Sequence, residues 1–244
     1  MDIYNIFTSK IPTAMEDFDP REKKLVTFLN PHSYKLAFNA PELFEKFNWI
    51  APDGILVVLI LNLFKATAFK IKRFSCDMTS VAPFVFDIAV KNQLSVYFLG
   101  ADDESITESI KTFKKAYPAL NIAGYRNGYF DTYSERWGTI DNIVSLNPDI
   151  VFIGMGAILQ ETMALNLRSG GFNGAIYTCG GFLHQSKHEI NFYPNFISKF
   201  NLRFFYRSYK EEGFFSRSIK TYPAFCYLMA RRIVKQTFNL KYKL

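Results

Sequence analysis

Cysteine is scarce in this chain, which has three cysteines among 244 residues, at the widely separated positions 76, 179 and 226. The cysteines are odd in number and no C-x-x-C pair occurs, so the pattern suggests neither a disulfide framework nor a zinc ribbon. The segment Gly154-Met155-Gly156 lacks the third glycine and the downstream acid of a dinucleotide fingerprint, so NAD binding is not expected. The simplest interpretation is a cytosolic protein with reduced thiols.

Long apolar runs are also missing. The longest, residues 55–61, is far shorter than the roughly 20 apolar residues that a membrane-spanning helix needs. It predicts a buried helix instead. The N-terminal residues show no basic segment followed by an apolar run, so we expect no signal peptide.

Apolar and aromatic side chains are plentiful. Hydrophobic residues make up 49% of the chain, which contains 26 phenylalanines. This composition excludes a disordered protein. The phenylalanine content favours thick apolar packing or an apolar partner surface.

Positive charge is concentrated in the last fifty residues. Residues 195–244 carry eleven Lys and Arg against two acids, a net charge of +9, whereas residues 1–194 carry 18 basic and 20 acidic residues, a net of −2. Basic and aromatic side chains alternate in this tail. The pattern suits nucleic-acid binding, an interfacial membrane helix, a lid whose arginines neutralise a diphosphate, or a packed helix with one solvated side.

Strand-like and helix-like segments alternate before this tail. Strands are predicted at residues 24–29, 94–99, 121–124, 150–153 and 175–179, and helices at 40–47, 80–91, 102–117 and 135–146. The alternation predicts an α/β fold with a Rossmann-like, mostly parallel sheet and helices on both faces. A C-terminal helical appendage, basic and aromatic, follows. We therefore divide the chain into a Rossmann-like domain, residues 1–194, and an appendage, residues 195–244.

A buried strand, a glycine turn and two polar residues follow one another in residues 150–161. Gly154 and Gly156 allow a sharp turn after the strand, and Gln160 and Glu161 lie where a helix begins. Ligands of open parallel sheets bind at the carboxyl ends of the strands. The same edge would collect Asn30, Asp53, Gly100, Gly180 and Gly181. A polar ligand, such as a phosphate, fits this arrangement.

Asp53 lies in a Pro-Asp-Gly turn ahead of the apolar run. Its carboxylate suits a general base that accepts a proton from an attacking hydroxyl. The alternative is a helix N-cap, which is the commoner role of an aspartate at such a position. The residues alone favour the cap.

Two patterns resemble metal sites, and neither is convincing. Asp17 and Asp19 form a D-x-D pair, but the pair does not follow a strand. His184 and His188 have helical spacing without a third ligand or an H-E-x-x-H motif. No metal site is therefore expected from these residues.

Five segments, taken in order, resemble the motifs of the WecG/TagA/CpsF family of bacterial glycosyltransferases. They are Leu29-Asn30-Pro31-His32-Ser33, Pro52-Asp53-Gly54-Ile55, GYRNGYF at residues 124–130, residues 148–161 and Gly180-Gly181-Phe182. The resemblance covers nearly the whole chain. The ordered spacing of several motifs is more specific than any single motif.

The resemblance implies an enzyme of bacterial surface-polysaccharide biosynthesis. It would transfer a sugar from a UDP-sugar donor to an undecaprenyl-diphosphate-type, lipid-linked saccharide, with inversion and without a metal or other cofactor. It also implies a cytoplasmic protein that acts at the inner face of the plasma membrane, with no nucleic-acid partner. From their basic and aromatic composition, we expect residues 195–244 to bind this anionic membrane surface peripherally. The exposed phenylalanines additionally permit a homo-oligomer.

The resemblance also implies roles for individual residues. Asp53 matches the family's proposed base, which raises the base interpretation above the cap. Asn30 would orient the acceptor or the sugar. Donor or substrate contacts are expected at Gly54, Gly100, Gly128, Tyr129, Gly154, Gly156, Gln160, Glu161, Gly181, Arg207 and Arg217.

The chain departs from the family pattern at several positions. Ile158 and Leu159 stand where the family has proline and lysine, and Phe192 where it has arginine. In the appendage, Glu212 and Phe214 replace a proline and an arginine. These departures keep open a catalytically silent scaffold of a polysaccharide assembly complex. The basic tail keeps open a nucleic-acid-binding protein.

Overall fold

The computed structural model describes residues 2–187, 189–190, 192–194, 196–197, 200, 202–211 and 213–241, with side chains in the last helix up to 232 and at 234. Strands lie at Leu25–Leu29 (β1), Trp49–Pro52 (β2), Ser95–Gly100 (β3), Asn121–Arg126 (β4), Ile150–Gly154 (β5) and Ala175–Thr178 (β6). α-Helices lie at Ile3–Ser9 (α1), Pro31–Ala37 (α2), Pro41–Phe44 (α3), Ile55–Leu63 (α4), Val81–Lys91 (α5), Asp103–Ala116 (α6), Tyr133–Leu146 (α7), Leu159–Ser169 (α8), Phe182–Gln185 (α9), Arg203–Lys210 (α10) and Phe214–Lys241 (α11).

The six strands form one sheet in the order β2-β1-β6-β5-β3-β4, and every strand pair is parallel. The chain adds β2 outside β1 on one side and β4 outside β3 on the other, and β5 and β6 then fill the centre. Parallel pairs need crossover connections, which the helices supply. The predicted α/β fold is confirmed.

Several elements differ from the sequence prediction, which lacks helices α1 and α2. Residues Trp49–Pro52 form strand β2, although the sequence predicts only a segment leading into a turn. The strand is too short to show a periodic pattern, and its proline is tolerated because β2 lies at the edge of the sheet. The helix predicted at residues 40–47 spans only Pro41–Phe44.

Both faces of the sheet are covered, since successive strand residues point to opposite sides. On one face, Leu29, Leu99 and Ile153 pack in a cluster with residues of α2, α4, α8 and α11. On the other face, Phe98 and Phe152 stack with ring centroids 5.5 Å apart and pack with residues of α5 and α6. Thick aromatic packing therefore accounts for part of the phenylalanine content.

Helix α4 only partly matches the predicted buried helix. Val57 and Leu61 are buried, at 1% and 0% exposure. On the opposite side Ile55, Leu59 and Leu63 are 37%, 57% and 73% exposed. The helix is apolar on both sides but has a core to pack against on only one.

The appendage packs on the same face of the sheet as α2. In the interface, the rings of Tyr34 and Phe225 meet edge to face at 5.1 Å. Further along α11, Arg232 Nη2 donates a hydrogen bond to Asn5 Oδ1 at 2.8 Å. The predicted boundary at residue 195 lies outside the described residues, so the division into two domains stays a prediction. Within the described part of the chain, no helix is both long and apolar enough to cross a bilayer.

Candidate active site

Asn30 and Asp53 lie side by side where β1 and β2 end. The strands pair in register with Leu29 opposite Pro52, and the Asp53 N–H donates to the Leu29 carbonyl at 2.9 Å. Asn30 begins α2, and its Oδ1 accepts from the backbone N–H groups of His32 and Ser33, each at 3.0 Å. The cap occupies the Asn30 oxygen, and none of the described residues accepts a hydrogen bond from its amide nitrogen.

Asp53 does not cap the helix that follows it. The N-cap of α4 is Gly54, whose φ of +91° suits glycine, and the Gly54 carbonyl accepts from Val58 N at 3.4 Å. The Asp53 carboxylate makes no capping bond, and no described residue donates a hydrogen bond to it. The cap interpretation of Asp53 is therefore wrong, and its carboxylate is free to meet a ligand.

The surroundings of Asp53 combine desolvation with nearby positive charge. Burial raises the pKa of Asp53, and the guanidinium of Arg73 opposes that shift. The neighbouring Asp77 raises the pKa further, whereas Arg207 and Arg203 lower it. A carboxylate with a raised pKa accepts a proton more readily, which suits general-base catalysis.

Arg73 is one residue at this site that the sequence analysis missed. The Phe74 N–H donates to the Pro52 carbonyl at 3.1 Å, which brings the adjacent arginine to the end of β2. Arg73 is half-buried, and no described carboxylate lies within ion-pair distance of it. The basic run Lys70-Ile71-Lys72-Arg73 was the available signal for a positive group in this segment. Only the fold shows that the end of this run lies near Asp53.

Two arginines of the appendage reach the same corner and are already paired. Arg203 Nη1 lies 3.1 Å from Asp77 Oδ2. Arg207 holds Glu211 with two hydrogen bonds, Nε to Oε1 at 3.0 Å and Nη2 to Oε2 at 2.7 Å. Gln185 Nε2 also donates to Glu211 Oε1, at 2.7 Å. The predicted contact residue Arg207 is therefore near Asp53, with most of its charge balanced by Glu211.

Arg217 is placed differently. It is exposed, and among the described acids none forms an ion pair with it. Its guanidinium lies 5.9 Å from the centroid of the Phe214 ring. Burial lowers the pKa of His32, and the positive charges of Arg217 and Lys35 lower it further, so the charge of Arg217 acts on the start of α2. Of the two predicted appendage arginines, Arg217 has the more available charge.

Close backbone contacts explain the glycines at the ends of β3, β4 and β5. A Cβ on Gly100 would lie 2.3 Å from the Gly154 carbonyl oxygen, and one on Gly154 would lie 2.8 Å from the Gly180 oxygen. A Cβ on Gly128 would lie 3.0 Å from Gly100 Cα. The side chain of Tyr129 is 72% exposed beside them. These glycines bring three strand ends together, and their contact with a ligand stays a prediction.

Two further glycines border more open space. Gly156 has a φ of +80° and no heavy atom within 4 Å of the position that a Cβ would take. Gly181 is the N-cap of α9, and a Cβ there would lie 3.5 Å from Gln185 Nε2. Both turns therefore leave room at the sheet edge, where the contacts predicted for these glycines would form.

Gln160 and Glu161 point into the protein and are 4% and 0% exposed. Glu161 Oε1 accepts from Thr27 Oγ1 at 2.7 Å and from Gln160 Nε2 at 2.9 Å, while Oε2 accepts from Ile158 N at 2.6 Å. Gln160 Oε1 accepts from Gly180 N at 3.0 Å. Together the two side chains tie β1, the start of α8 and the turn after β6. Ligand contact by either residue stays a prediction, whereas the structure gives both a positioning role.

The same network holds a strained residue. Ile158 has a φ of +75° and a ψ of −47°, which is rare for a β-branched side chain. The hydrogen bond from its N–H to Glu161 fixes this turn at the start of α8. Burial raises the pKa of Glu161, while hydrogen bonds from Gln160, Thr27 and the Ile158 backbone oppose the shift. The turn at Ile158 and Leu159, where the resemblance predicts a departure from the family's proline and lysine, therefore depends on Glu161.

The residues of the two patterns that resemble metal sites form hydrogen bonds within the protein instead. Asp17 Oδ2 accepts from the backbone of Thr13 and Ala14 at 2.7 and 3.0 Å, and Asp19 accepts from the Arg21 backbone and side chain. His184 Nδ1 lies 3.0 Å from Ser105 Oγ. His188 lies outside the described residues. Within the described ranges, no cluster of three or more His, Cys, Asp or Glu side chains could hold a metal ion.

Comparison with known proteins places this sequence in a family. The sequence pattern of the family described as "Glycosyl transferase WecG/TagA/CpsF family" matches residues 3–239. A Shigella boydii protein named "UDP-Gal:alpha-D-GlcNAc-diphosphoundecaprenol beta-1,4-galactosyltransferase" is 31% identical over 201 residues, covering 82% of this chain and 83% of that protein. An "N-acetylglucosaminyldiphosphoundecaprenol N-acetyl-beta-D-mannosaminyltransferase" of Bacillus spizizenii is 30% identical over 161 residues, covering 66% of this chain and 60% of that protein. This chain therefore belongs to the WecG/TagA/CpsF family of glycosyltransferases.

Proposed function

We propose that this glycosyltransferase moves a sugar from a UDP-sugar to a saccharide linked to undecaprenyl diphosphate, during synthesis of a bacterial surface polysaccharide. Support comes from the names of the two relatives, which specify diphosphoundecaprenol acceptors, and in one case UDP-Gal as the donor. Both names also specify β-linked products. The single observation that carries the chemistry concerns the Asp53 carboxylate at the end of β2. It is desolvated and caps no helix.

Asp53 acts as the general base in this proposal. Its carboxylate takes the proton of an acceptor hydroxyl, whose oxygen then forms a bond to the anomeric carbon of the donor sugar. The bond from that carbon to the diphosphate oxygen breaks on the opposite face, and UDP leaves with the electron pair. Attack opposite the leaving group inverts the anomeric carbon. The amide nitrogen of Asn30, beside Asp53, is positioned to orient a hydroxyl of either substrate.

The leaving diphosphate needs fixed positive charge. Arg217 is exposed and has no acidic partner among the described residues, so its guanidinium is available for a bidentate contact with phosphate oxygens. Arg207 adds charge near Asp53, although Glu211 shares it. Arg73 supplies a third positive group at the end of β2.

The appendage is also proposed to hold the enzyme at an anionic membrane surface, as a peripheral protein. Aromatic side chains of α10 and the start of α11 are exposed, including Phe205 at 68%, Tyr209 at 84% and Phe215 at 54%. Exposed Lys210 and Lys220 lie among them. Aromatic and basic groups on one helical segment suit binding at the lipid headgroup level.

The proposed reaction is tested by measuring UDP release from a panel of UDP-sugars, with N-acetylglucosaminyl-diphospholipid as the acceptor. One donor is expected to release UDP only when the acceptor is present, and the same donor should raise the melting temperature by mass action. The anomeric configuration of the product, determined by NMR, reports inversion. A donor that stabilises the fold but gives no product with any lipid-diphosphate acceptor would favour the silent scaffold instead.

A further inference from the structure

A stripe of apolar side chains is exposed on α4, immediately after Asp53. Ile55, Leu59 and Leu63 recur every four residues and therefore lie on one face of the helix. They are 37%, 57% and 73% exposed, and the next residue, Phe64, is 46% exposed. Single exposed apolar residues are normal, but a contiguous row of large ones marks an interaction surface.

The chain after α4 folds back along this helix. Asn62 exchanges two hydrogen bonds with the backbone of Ile71, Nδ2 to O at 2.9 Å and N to Oδ1 at 2.8 Å. The Ala66 N–H donates to the Leu61 carbonyl at 2.9 Å. We call residues 55–72 the α4 arm. Both ends of the arm lie at the active site, because Ile55 follows the Asp53 turn and Phe74 is bonded to Pro52.

The charge of the arm has one sign. Lys65, Lys70 and Lys72 are exposed, and residues 54–76 contain no acid. Phe69, between two of these lysines, is 41% exposed. An apolar face next to lysines, without acids, is the composition of a segment that lies in the headgroup region of an anionic bilayer.

We propose that the α4 arm is a membrane-docking surface, separate from the appendage, which binds anionic phospholipid and holds the bilayer at the edge of the active site. The occupant is the lipid surface and not a second copy of this chain, since two copies meeting on this face would bring their lysines together without an opposing acid. A helix of nine residues is roughly 13 Å long. A bilayer on the arm would therefore lie within about that distance of Asp53, where the acceptor hydroxyl of a lipid-linked saccharide must reach the base.

The binding test uses the full chain and does not depend on the proposed reaction. Sedimentation is measured with phosphatidylglycerol–phosphatidylethanolamine vesicles and with pure phosphatidylcholine vesicles. The paired substitution Leu59→Gln and Leu63→Gln should weaken binding to the anionic vesicles at least about tenfold. Replacing Lys65, Lys70 and Lys72 by glutamine should weaken it by a similar factor, with little change on phosphatidylcholine.

Matched controls change the same residue types elsewhere. Leu146→Gln replaces a leucine that is 46% exposed at the end of α7. Replacing the exposed Lys91, Lys114 and Lys115 by glutamine lowers the net charge by the same amount as the arm variant. Both controls should bind vesicles nearly as wild type does. Arm variants that bind like wild type, or controls that lose as much binding as they do, would overturn the proposal.

A second readout separates docking from catalysis and rests on the proposed lipid-linked acceptor. The leucine pair variant should keep wild-type turnover of a short-chain, water-soluble diphosphate acceptor and lose turnover of an acceptor embedded in vesicles. Equal loss on both acceptors would overturn the docking role. So would a change from dimer to monomer in light scattering without any change in vesicle binding. If wild type turns over neither acceptor, the proposed function fails while the vesicle-binding result still decides the arm.

Discussion

The corner where β1 and β2 end uses its polar side chains differently from the corner where β5 and β6 end. At the first corner, the Asp53 carboxylate and the Asn30 amide nitrogen have no hydrogen-bond partner among the described residues. At the second, Gln160 and Glu161 are buried, and each carboxylate oxygen of Glu161 accepts at least one hydrogen bond from the protein. Both corners lie on the same edge of one sheet.

The difference distinguishes a side chain suited to react from side chains that hold the fold. A desolvated carboxylate flanked by arginines but without a hydrogen-bond donor is costly unless a ligand uses it, which is typical of a reacting group. A buried carboxylate that accepts from Thr27, Gln160 and Ile158 instead fixes the backbone that carries it. We infer that side chains at the β1–β2 corner take part in the reaction. Those at the β5–β6 corner fix the shape of the sheet edge where the donor is expected to bind.

The largest effect is expected for Asp53→Asn. The amide keeps the shape of the side chain but cannot accept the proton, so kcat should fall by about 10²–10⁴-fold. The melting temperature should stay the same or rise, because a partly buried charge without a hydrogen-bond donor among the described residues is removed. Steady-state UDP release and thermal unfolding on one preparation check both. A kcat close to wild type would remove Asp53 from the chemistry.

Glu161→Gln should show the opposite pattern. The new amide can still accept from Thr27, but its NH₂ group faces the Ile158 N–H, so two donors meet in a buried site. The free energy of unfolding should fall by about 1–3 kcal/mol. It is measured by urea denaturation, and below the melting transition kcat should change far less than in Asp53→Asn. A stable Glu161→Gln protein with a 10²-fold lower kcat would place Glu161 in the reaction instead.

Smaller effects are expected for the two appendage arginines, and the two should differ in their effect on stability. Arg217→Ala removes an exposed cation that has no acidic partner in the described part of the chain, so the KM for the donor should rise about tenfold with no change in stability. Arg207→Ala should also lower stability, because the half-buried Glu211 loses its bidentate partner. Donor KM and melting temperature of both variants, with Lys220→Ala as a matched control for an exposed tail cation, test this. Equal stability loss in both arginine variants would contradict the pairing seen in the structure.

The sequence predicts most of the sheet because its apolar runs alternate with helical patterns. It misses β2, whose four residues end in proline. It also misses Arg73, which reaches Asp53 only through the return of the α4 arm. The burial of Glu161 was not predictable from its neighbours, since its partner Thr27 lies 134 residues away. The apolar residues of α4 also could not show which side of the helix would stay exposed.

The dependence of kcat/KM on pH tests the central claim most directly, because it reports the protonation of the base in the free enzyme. Burial raises the pKa of Asp53 above its ordinary value of 3.8, and only the deprotonated carboxylate accepts a proton. Activity should therefore rise with pH through a midpoint above 3.8 in the wild-type enzyme. The residual activity of Asp53→Asn should lack this acid limb. The same limb, with the same midpoint, in Asp53→Asn would show that another group is the base.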